Sequence, residues 1–253
     1  MSEETTNPVL WFDNSDPEMQ EAYERARSTF RLLWRELSWE RRRIIPALDL
    51  ACVKTIFADK PLEECESDDA VEQMWLDEIE FDGRRITGKL LNQPHQLESV
   101  KQGERYTFSF DRLTDWMYAI SSKVYGAYTV DLMRSRMSLS ERQAHDDSWG
   151  FSFGEPGKVL LSPEDSADAE HPMSVNMGAS LDDYLKKHPN VVNEPDDRGW
   201  TFLHHQSLAG NALVVEALLK HGADRALETN DGDLAIDLAR LLGWKRVVSL
   251  LAK

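Results

Sequence analysis

Apolar residues recur every three or four positions from Met19 through Ala22, Ala26, Phe30, Leu33 and Leu37, the spacing of one face of an α-helix. Ser15-Asp16-Pro17-Glu18 supplies a capping acid, a first-turn proline and a further acid near the helix dipole. A long amphipathic helix is therefore predicted from here to about Ser38 or slightly beyond. The pattern then changes. Residues 44–57 are apolar, with Val53, Ile56 and Phe57 near the end, which suits a buried strand followed by a loop over 58–70. Between Glu72 and Glu80 acidic and apolar positions alternate imperfectly through Met74, Leu76 and Ile79, and Phe81-Asp82-Gly83-Arg84 supplies a hairpin turn. Residues 85–91 return as the partner strand, Asn92-Gln93-Pro94 closes it, Lys101-Gln102-Gly103-Glu104 turns again, and residues 105–110 form a further strand. One helix packed on an antiparallel sheet of about four strands is an α+β arrangement.

Toward the C-terminus one pattern occurs twice, offset by 33 residues: Gly232 answers Gly199, Ile236 answers Leu203, Asp237 answers His204 and Gly243 answers Gly210. Gly199 and Gly232 sit in Asp-rich turns where a residue without Cβ takes positive φ, and Thr201 is placed to cap a helix. Leu203, Ser207 and Leu208 in the first copy, with Ile236 and Ala239 in the second, suit a thin inner helix that Gly210 and Gly243 end. Leu213, Val214, Ala217 and Leu218 then recur at the spacing of an outer helix. This period and residue placement resemble the ankyrin repeat, which implies stacked helix-turn-helix units that present a surface to another protein. A stack needs about three units, and residues 180–193, with Pro189 as the stop, supply a capping helix. The expected second half is thus a short all-α array of a cap and two repeats.

A second resemblance covers residues 17–159. Val53-Lys54, Met74-Trp75, Asp82-Gly83, Ile86-Thr87-Gly88, Gly103, Asp115-Trp116-Met117, Tyr125-Gly126 and Tyr128-Thr129, with a tail over 147–154, resemble the bacterial YegJ-like domain family. The family usually has a second glycine where this chain has Ala127, and it brings no established chemistry. Read as residues, the glycines mark turns or close backbone approach, and Trp75 and Trp116 are large enough to organise a core. Asp115 is placed to accept a hydrogen bond and fix a turn before Trp116. The predicted organisation is an α+β domain over 1–159, an acidic linker over 160–179 and the repeat domain over 180–253.

Composition narrows the function. Eight tryptophans and 41% hydrophobic residues argue for folded cores. No apolar run reaches the length of a membrane span, and an acidic N-terminus, Met1-Ser2-Glu3-Glu4, is unlike a signal peptide, so a cytoplasmic protein is expected. Cys52 and Cys65 are too few for a disulfide framework and are expected as reduced thiols. A net charge of −16 opposes binding to nucleic acid and favours a basic partner. The charge is uneven: residues 59–82 hold 11 acids and one lysine, whereas Arg25, Arg27, Arg31, Arg35 and Arg41-Arg42-Arg43 make the first helix basic.

No established catalytic pattern is legible in the sequence. His204 holds the repeat's usual histidine position, where the ring bonds to backbone in the turn, and His205 is freer to face a partner. No HExxH, CxxC pair, EF-hand loop or glycine-rich phosphate loop occurs, so neither cofactor nor metal is expected. Cys52, Ser138 or Ser140 with His145 and Asp146-Asp147 lack any nucleophile signature. Paired carboxylates at 68–69, 146–147 and 182–183 fit capping and solvation. The expectation is a non-catalytic inhibitor that binds a protein, by analogy with ankyrin-bearing immunity proteins a neutraliser of a secreted toxin, for which a basic nuclease is one candidate. The contact residues expected are the acidic loop Glu63, Glu64, Glu66, Asp68 and Asp69, and the turn Asp196, Asp197 and Arg198 with Trp200, which is either a partly exposed anchor or packed within the turn. His205, Asn230, Asp231 and Asp233 complete the set. The alternative is an enzyme or small-ligand sensor with a pocket near Trp75, Asp115, Trp116 and Tyr128, the repeats recruiting a target.

Overall fold

A computed structural model describes residues 16–66, 69–164 and 169–253. They divide into two compact units: the described residues up to Thr29 with Pro46–Leu161, and Phe30–Ile45 with Ser162–Lys253. The first helix, α1 (Pro17–Glu40), contributes its opening half to the first unit and its closing half to the second. Its predicted cap residue Ser15 lies outside the described residues. Asp16 accepts the Glu18 N–H at 3.0 Å and so fills one orphan donor of the first turn.

The first unit is α+β, as the sequence predicts, but its sheet has six strands rather than about four. They are β1 (Leu50–Ala58), β2 (Val71–Phe81), β3 (Arg85–Leu90), β4 (Arg105–Ser109), β5 (Leu113–Ile120) and β6 (Lys123–Gly126), all antiparallel, in the order β4-β3-β2-β1-β5-β6. Gly83 makes the β2–β3 turn with φ 88°, where Asp82 Oδ1 accepts from Arg84 N and Arg85 N. β1 begins six residues later than the predicted strand. Ile44 and Ile45 are 99% and 81% exposed rather than buried, since Pro46 follows them and withholds an N–H from any ladder.

Strand β5 was hidden in the sequence because seven of its eight residues are buried, leaving no polar alternation to read. Its side chains still alternate in space. Trp116 and Tyr118 point one way, and the Trp116 indole N–H donates to Ala26 O of α1 at 2.9 Å. Met117 and Ala119 point the other way, into a cluster with Cys52, Trp75, Val124, Ala127, Val130 and Phe153. Short helices α2 (Tyr128–Ser135) and α3 (Leu139–Trp149) follow, tied by a bidentate Arg134–Asp146 pair at 2.9 and 2.7 Å. Ala127 precedes α2 at φ 64°, a left-handed conformation that explains why glycine suits this position.

The second unit contains α4 (Pro172–Lys187), α5 (Phe202–Ala209), α6 (Ala212–Lys220), α7 (Ala235–Leu241) and α8 (Lys245–Leu251). Inner helices α5 and α7 pack on each other, and outer helices run α4–α6–α8. The predicted capping helix is thus real but longer. It starts at Pro172, inside the expected linker, because His171 caps it and proline fills the first helical position. Gly210 and Gly243 end the inner helical segments at φ 74° and 70°, and a Cβ on Gly210 would lie 2.2 Å from the Trp244 indole. The closing half of α1 belongs here too. Arg31 donates to Gly243 O at 2.9 Å, Arg31 and Arg35 stack over Trp244, and the Trp39 indole N–H donates to Asn211 Oδ1 at 2.9 Å. These arginines are built into the unit rather than forming a solvated face.

Candidate protein-interaction surface

The repeat turns present the exposed chemistry of the second unit. In the first, Asp196 Oδ1 accepts Arg198 N and Trp200 N, each at 2.9 Å, so the carboxylate shapes the loop. Gly199 follows at φ 76°, as predicted for this turn. Burial alone would raise Asp196, but those two N–H groups and His205 Nε2 at 3.2 Å outweigh it and hold the carboxyl below its ordinary value. The second turn stacks on the first, with Asn230 N donating to Arg198 O at 2.9 Å and Asn230 Nδ2 to Asp197 O at 3.0 Å. Asp233 N donates to Thr229 Oγ1, so Asp233 and Asn230 serve the turns themselves. Asp197, Arg198 and Asp231 remain at the exposed tips.

Of the two roles open to Trp200, the structure shows packing within the turn and not the exposed anchor. The residue is 3% exposed, with Arg198 stacked over its ring at 5.1 Å and the His204 and His205 rings 6.2 and 5.1 Å away. The turn holds the indole inward because Asp196 fixes the backbone around it, its carboxylate accepting Arg198 N and Trp200 N and its own N–H donating to Trp200 O at 2.9 Å. His204 takes the structural role. Its Nδ1 accepts Thr201 N at 3.1 Å and its Nε2 lies 3.1 Å from Leu227 O, while burial lowers its pKa. His205 is half-buried, bonded to Asp196, and burial lowers it as well.

The acidic loop belongs to the first unit. Glu63 and Glu64 sit on an exposed 3-10 turn and Glu66 is exposed after it. Asp69 pairs with Lys60, whose hydrogen bond lowers its pKa. Asp68 lies outside the described residues. The expected contact residues are therefore divided between the two units, the described part of the acidic loop in the first and the repeat turns in the second.

The first unit also holds a buried cross-strand arrangement outside the predicted contact residues. Trp75, Lys54 and Asp115 are cross-strand neighbours on β2, β1 and β5. Asp115 is in a strand, not at a turn, and its carboxylate caps α2 from across the sheet: it accepts Tyr128 N at 3.0 Å, Thr129 N at 2.8 Å and Thr129 Oγ1 at 2.6 Å. Lys54 Nζ donates to the same hydroxyl at 3.1 Å and lies 5.0 Å from the Trp75 ring centre. Burial raises Asp115 and lowers Lys54, and each charge opposes the shift of the other. A lysine amid the apolar run 50–57 was the available signal. Trp116 and Tyr128, suggested as pocket walls, spend their polar atoms on Ala26 O and on the Thr29 hydroxyl at 2.8 Å.

Fold and surface together define an ankyrin-type helical array carried in one chain with an α+β domain built on a six-stranded antiparallel sheet. Residues 16–153, more than half of the chain, match the family described as "Uncharacterized protein conserved in bacteria (DUF2314)", and the chain belongs to that family. It is 42% identical over 247 residues to the putative ankyrin repeat protein NMB1133/NMB1171 of Neisseria meningitidis serogroup B, covering 96% of each chain. It is also 30% identical over 60 residues to the uncharacterised protein YegJ of Escherichia coli K12, spanning 24% of this chain and 39% of that one. A 34% identity over 74 residues links it to the human NAD-capped RNA hydrolase NUDT12, over 29% of this chain and only 16% of the hydrolase. The ankyrin likeness points to a protein partner. No helix among the described residues is long and apolar enough to cross a membrane.

Proposed function

We propose that the protein is a non-catalytic inhibitor that works by binding, a cytoplasmic bacterial immunity protein that neutralises a cognate secreted toxin. The supporting observation is the row of acids at successive repeat tips, Asp197 and Asp231 with Asp196 beside them, all exposed on a chain of net charge −16. Such a field accelerates encounter with a basic protein and repels nucleic acid and anionic membrane surfaces. A toxin that must hold phosphates, as a nuclease does, carries the complementary surface. The alternative, a catalytic or small-ligand site near Trp75, Asp115, Trp116 and Tyr128, has less support, because the buried polar atoms there are engaged within the fold.

The test is co-purification of the tagged chain from its own cells at low and then high salt, followed by co-expression with the captured protein. One stoichiometric basic partner whose toxicity is abolished by this chain supports the proposal. The triple substitution Asp196→Asn, Asp197→Asn and Asp231→Asn should then slow association about tenfold at low salt and less at high salt. A partner without toxicity, or protection unchanged by the triple substitution at low salt, contradicts it.

A further inference from the structure

Away from the repeat turns, three side chains of the second unit converge on one point: Glu36 from α1, Glu164, and His171 at the cap of α4, each with a ligand atom within 4.8 Å of the others. Glu36 is 1% exposed, and neither carboxylate oxygen receives a hydrogen bond. Leaving a buried carboxylate in that state is costly unless a cation balances it. His171, 3% exposed, places Nε2 3.1 Å from Glu36 Oε1 without the alignment of a hydrogen bond. Two ligands of one small cation behave in this way. With bonds of about 2.0–2.1 Å and a tetrahedral angle, their donor atoms sit roughly 3.3 Å apart and aim at a shared third point rather than at each other.

The surroundings hold the ligands in place. The His171 ring stacks on Trp39 at 5.5 Å and 11°, which fixes its plane as an outer partner of a metal ligand does. Arg35 lies 3.7 Å from Glu164 and Arg43 3.8 Å from Glu36, so both offset negative charge from beyond hydrogen-bond length. Ser162 Oγ bonds to Glu164 Oε2.

We infer that Glu36, Glu164 and His171 form a binding site for one divalent transition-metal ion, with zinc the best match to an imidazole and two carboxylates. Occupancy has a consequence for α4. His171 Nδ1 now accepts Met173 N at 3.1 Å, which requires the ring proton on Nε2. A metal takes the Nε2 lone pair, the neutral ring carries its proton on Nδ1, and Met173 N–H loses its acceptor. The ion thus links the environment of Glu36 to the first turn of α4.

The full-length protein, freed of metal by chelator dialysis, is titrated with zinc chloride against a chromophoric chelator, beside Glu36→Gln, Glu164→Gln and the exposed-site control His188→Asn. One equivalent should bind to the wild type and to the control. Each Gln variant should lose at least about 100-fold in affinity for that equivalent, since disturbing even an outer partner of a metal ligand costs 10–100-fold. The Met173 amide resonance should shift on zinc addition in the wild type and in His188→Asn, and in neither Gln variant. Wild-type affinity no greater than that of the Gln variants, with circular dichroism showing all four proteins folded, overturns the inference, as does loss of the tight equivalent in His188→Asn alone. Should Glu36→Gln fail to fold, Glu164→Gln, at a less buried position, carries the comparison.

Discussion

Replacing Lys54 by methionine isolates the buried charge relay of the first unit. The unbranched thioether keeps most of the apolar stem, and removes the ammonium together with its contact over the Trp75 ring. Asp115 then keeps its three donors from α2 but loses the cation that most opposes the effect of burial. Removing one partner of a buried pair costs about 3–5 kcal/mol when the charges touch. Here the Thr129 hydroxyl stands between them, at 3.1 Å from Lys54 and 2.6 Å from Asp115, so about 2–3 kcal/mol is expected at pH 7. The sign of the pH dependence follows from Asp115. Its folded pKa is already raised by burial and rises further without Lys54, and a raised acid favours the fold below its unfolded value and loses that contribution as pH climbs through the folded one. The penalty of Lys54→Met should therefore be largest near neutral pH and shrink on acidification toward the carboxylate range. Hydrogen exchange of β1 and β5 amides, followed at pH 7 and pH 5 across a urea series and corrected for the intrinsic exchange rate, reads this unit alone. A penalty under about 0.5 kcal/mol at pH 7, or one that does not diminish in acid, would refute the pairing.

Three further outcomes are expected. Trp200→Ala should destabilise the second unit by about 3–5 kcal/mol, as for a large core aromatic, and lower its thermal midpoint by circular dichroism; a midpoint within error of wild type would show the indole to be a surface group. Gly210→Ala combines left-handed strain with a collision against Trp244, whereas Gly243→Ala meets only Arg31 Nη1 at 3.8 Å. The first should cost more than the second's roughly 1–2 kcal/mol in urea titration, and the reverse order would contradict the packing. Ala127→Gly relieves left-handed strain of about 1 kcal/mol but gives up a buried methyl worth about 0.8 kcal/mol, so stability should stay within about 0.5 kcal/mol of wild type.

Much of the fold could be read from residues that carry a local signal. The 3–4 spacing from Met19 to Leu37 gave α1, Asp82-Gly83 gave the β2–β3 turn, and the paired glycines gave the ends of the inner helical segments. What escaped lacked local contrast. β5 alternates only in space, since both its faces are covered, and Asp115 within it resembled a turn residue because acids are rare in strand interiors. The start of α4 was masked by the polar composition around His171-Pro172, although proline at the first helical position was a usable sign. The sequence left Trp200 open between an exposed anchor and packing in the turn because its cover comes from Arg198 and His205, neighbours that meet only once the turn is closed. Glu36, Glu164 and His171 share no motif spacing, as the first is separated from the others by the whole sheet domain in sequence.

The division of α1 bears on how the chain matures during synthesis. Phe30, Leu32, Leu33, Trp34 and Trp39 emerge early but belong to a unit whose remaining residues begin at Ser162. At about 5–20 residues per second, the intervening segment takes several seconds or more to appear, and throughout that time this apolar stripe has no final partner. The nascent chain is therefore most open to aggregation and to chaperone capture in that interval, and a stop codon or ribosomal stall before Ser162 would release a product with the stripe uncovered. In such a nested chain, α1 is made before the sheet that separates it from its partners and is completed only after that sheet has been made.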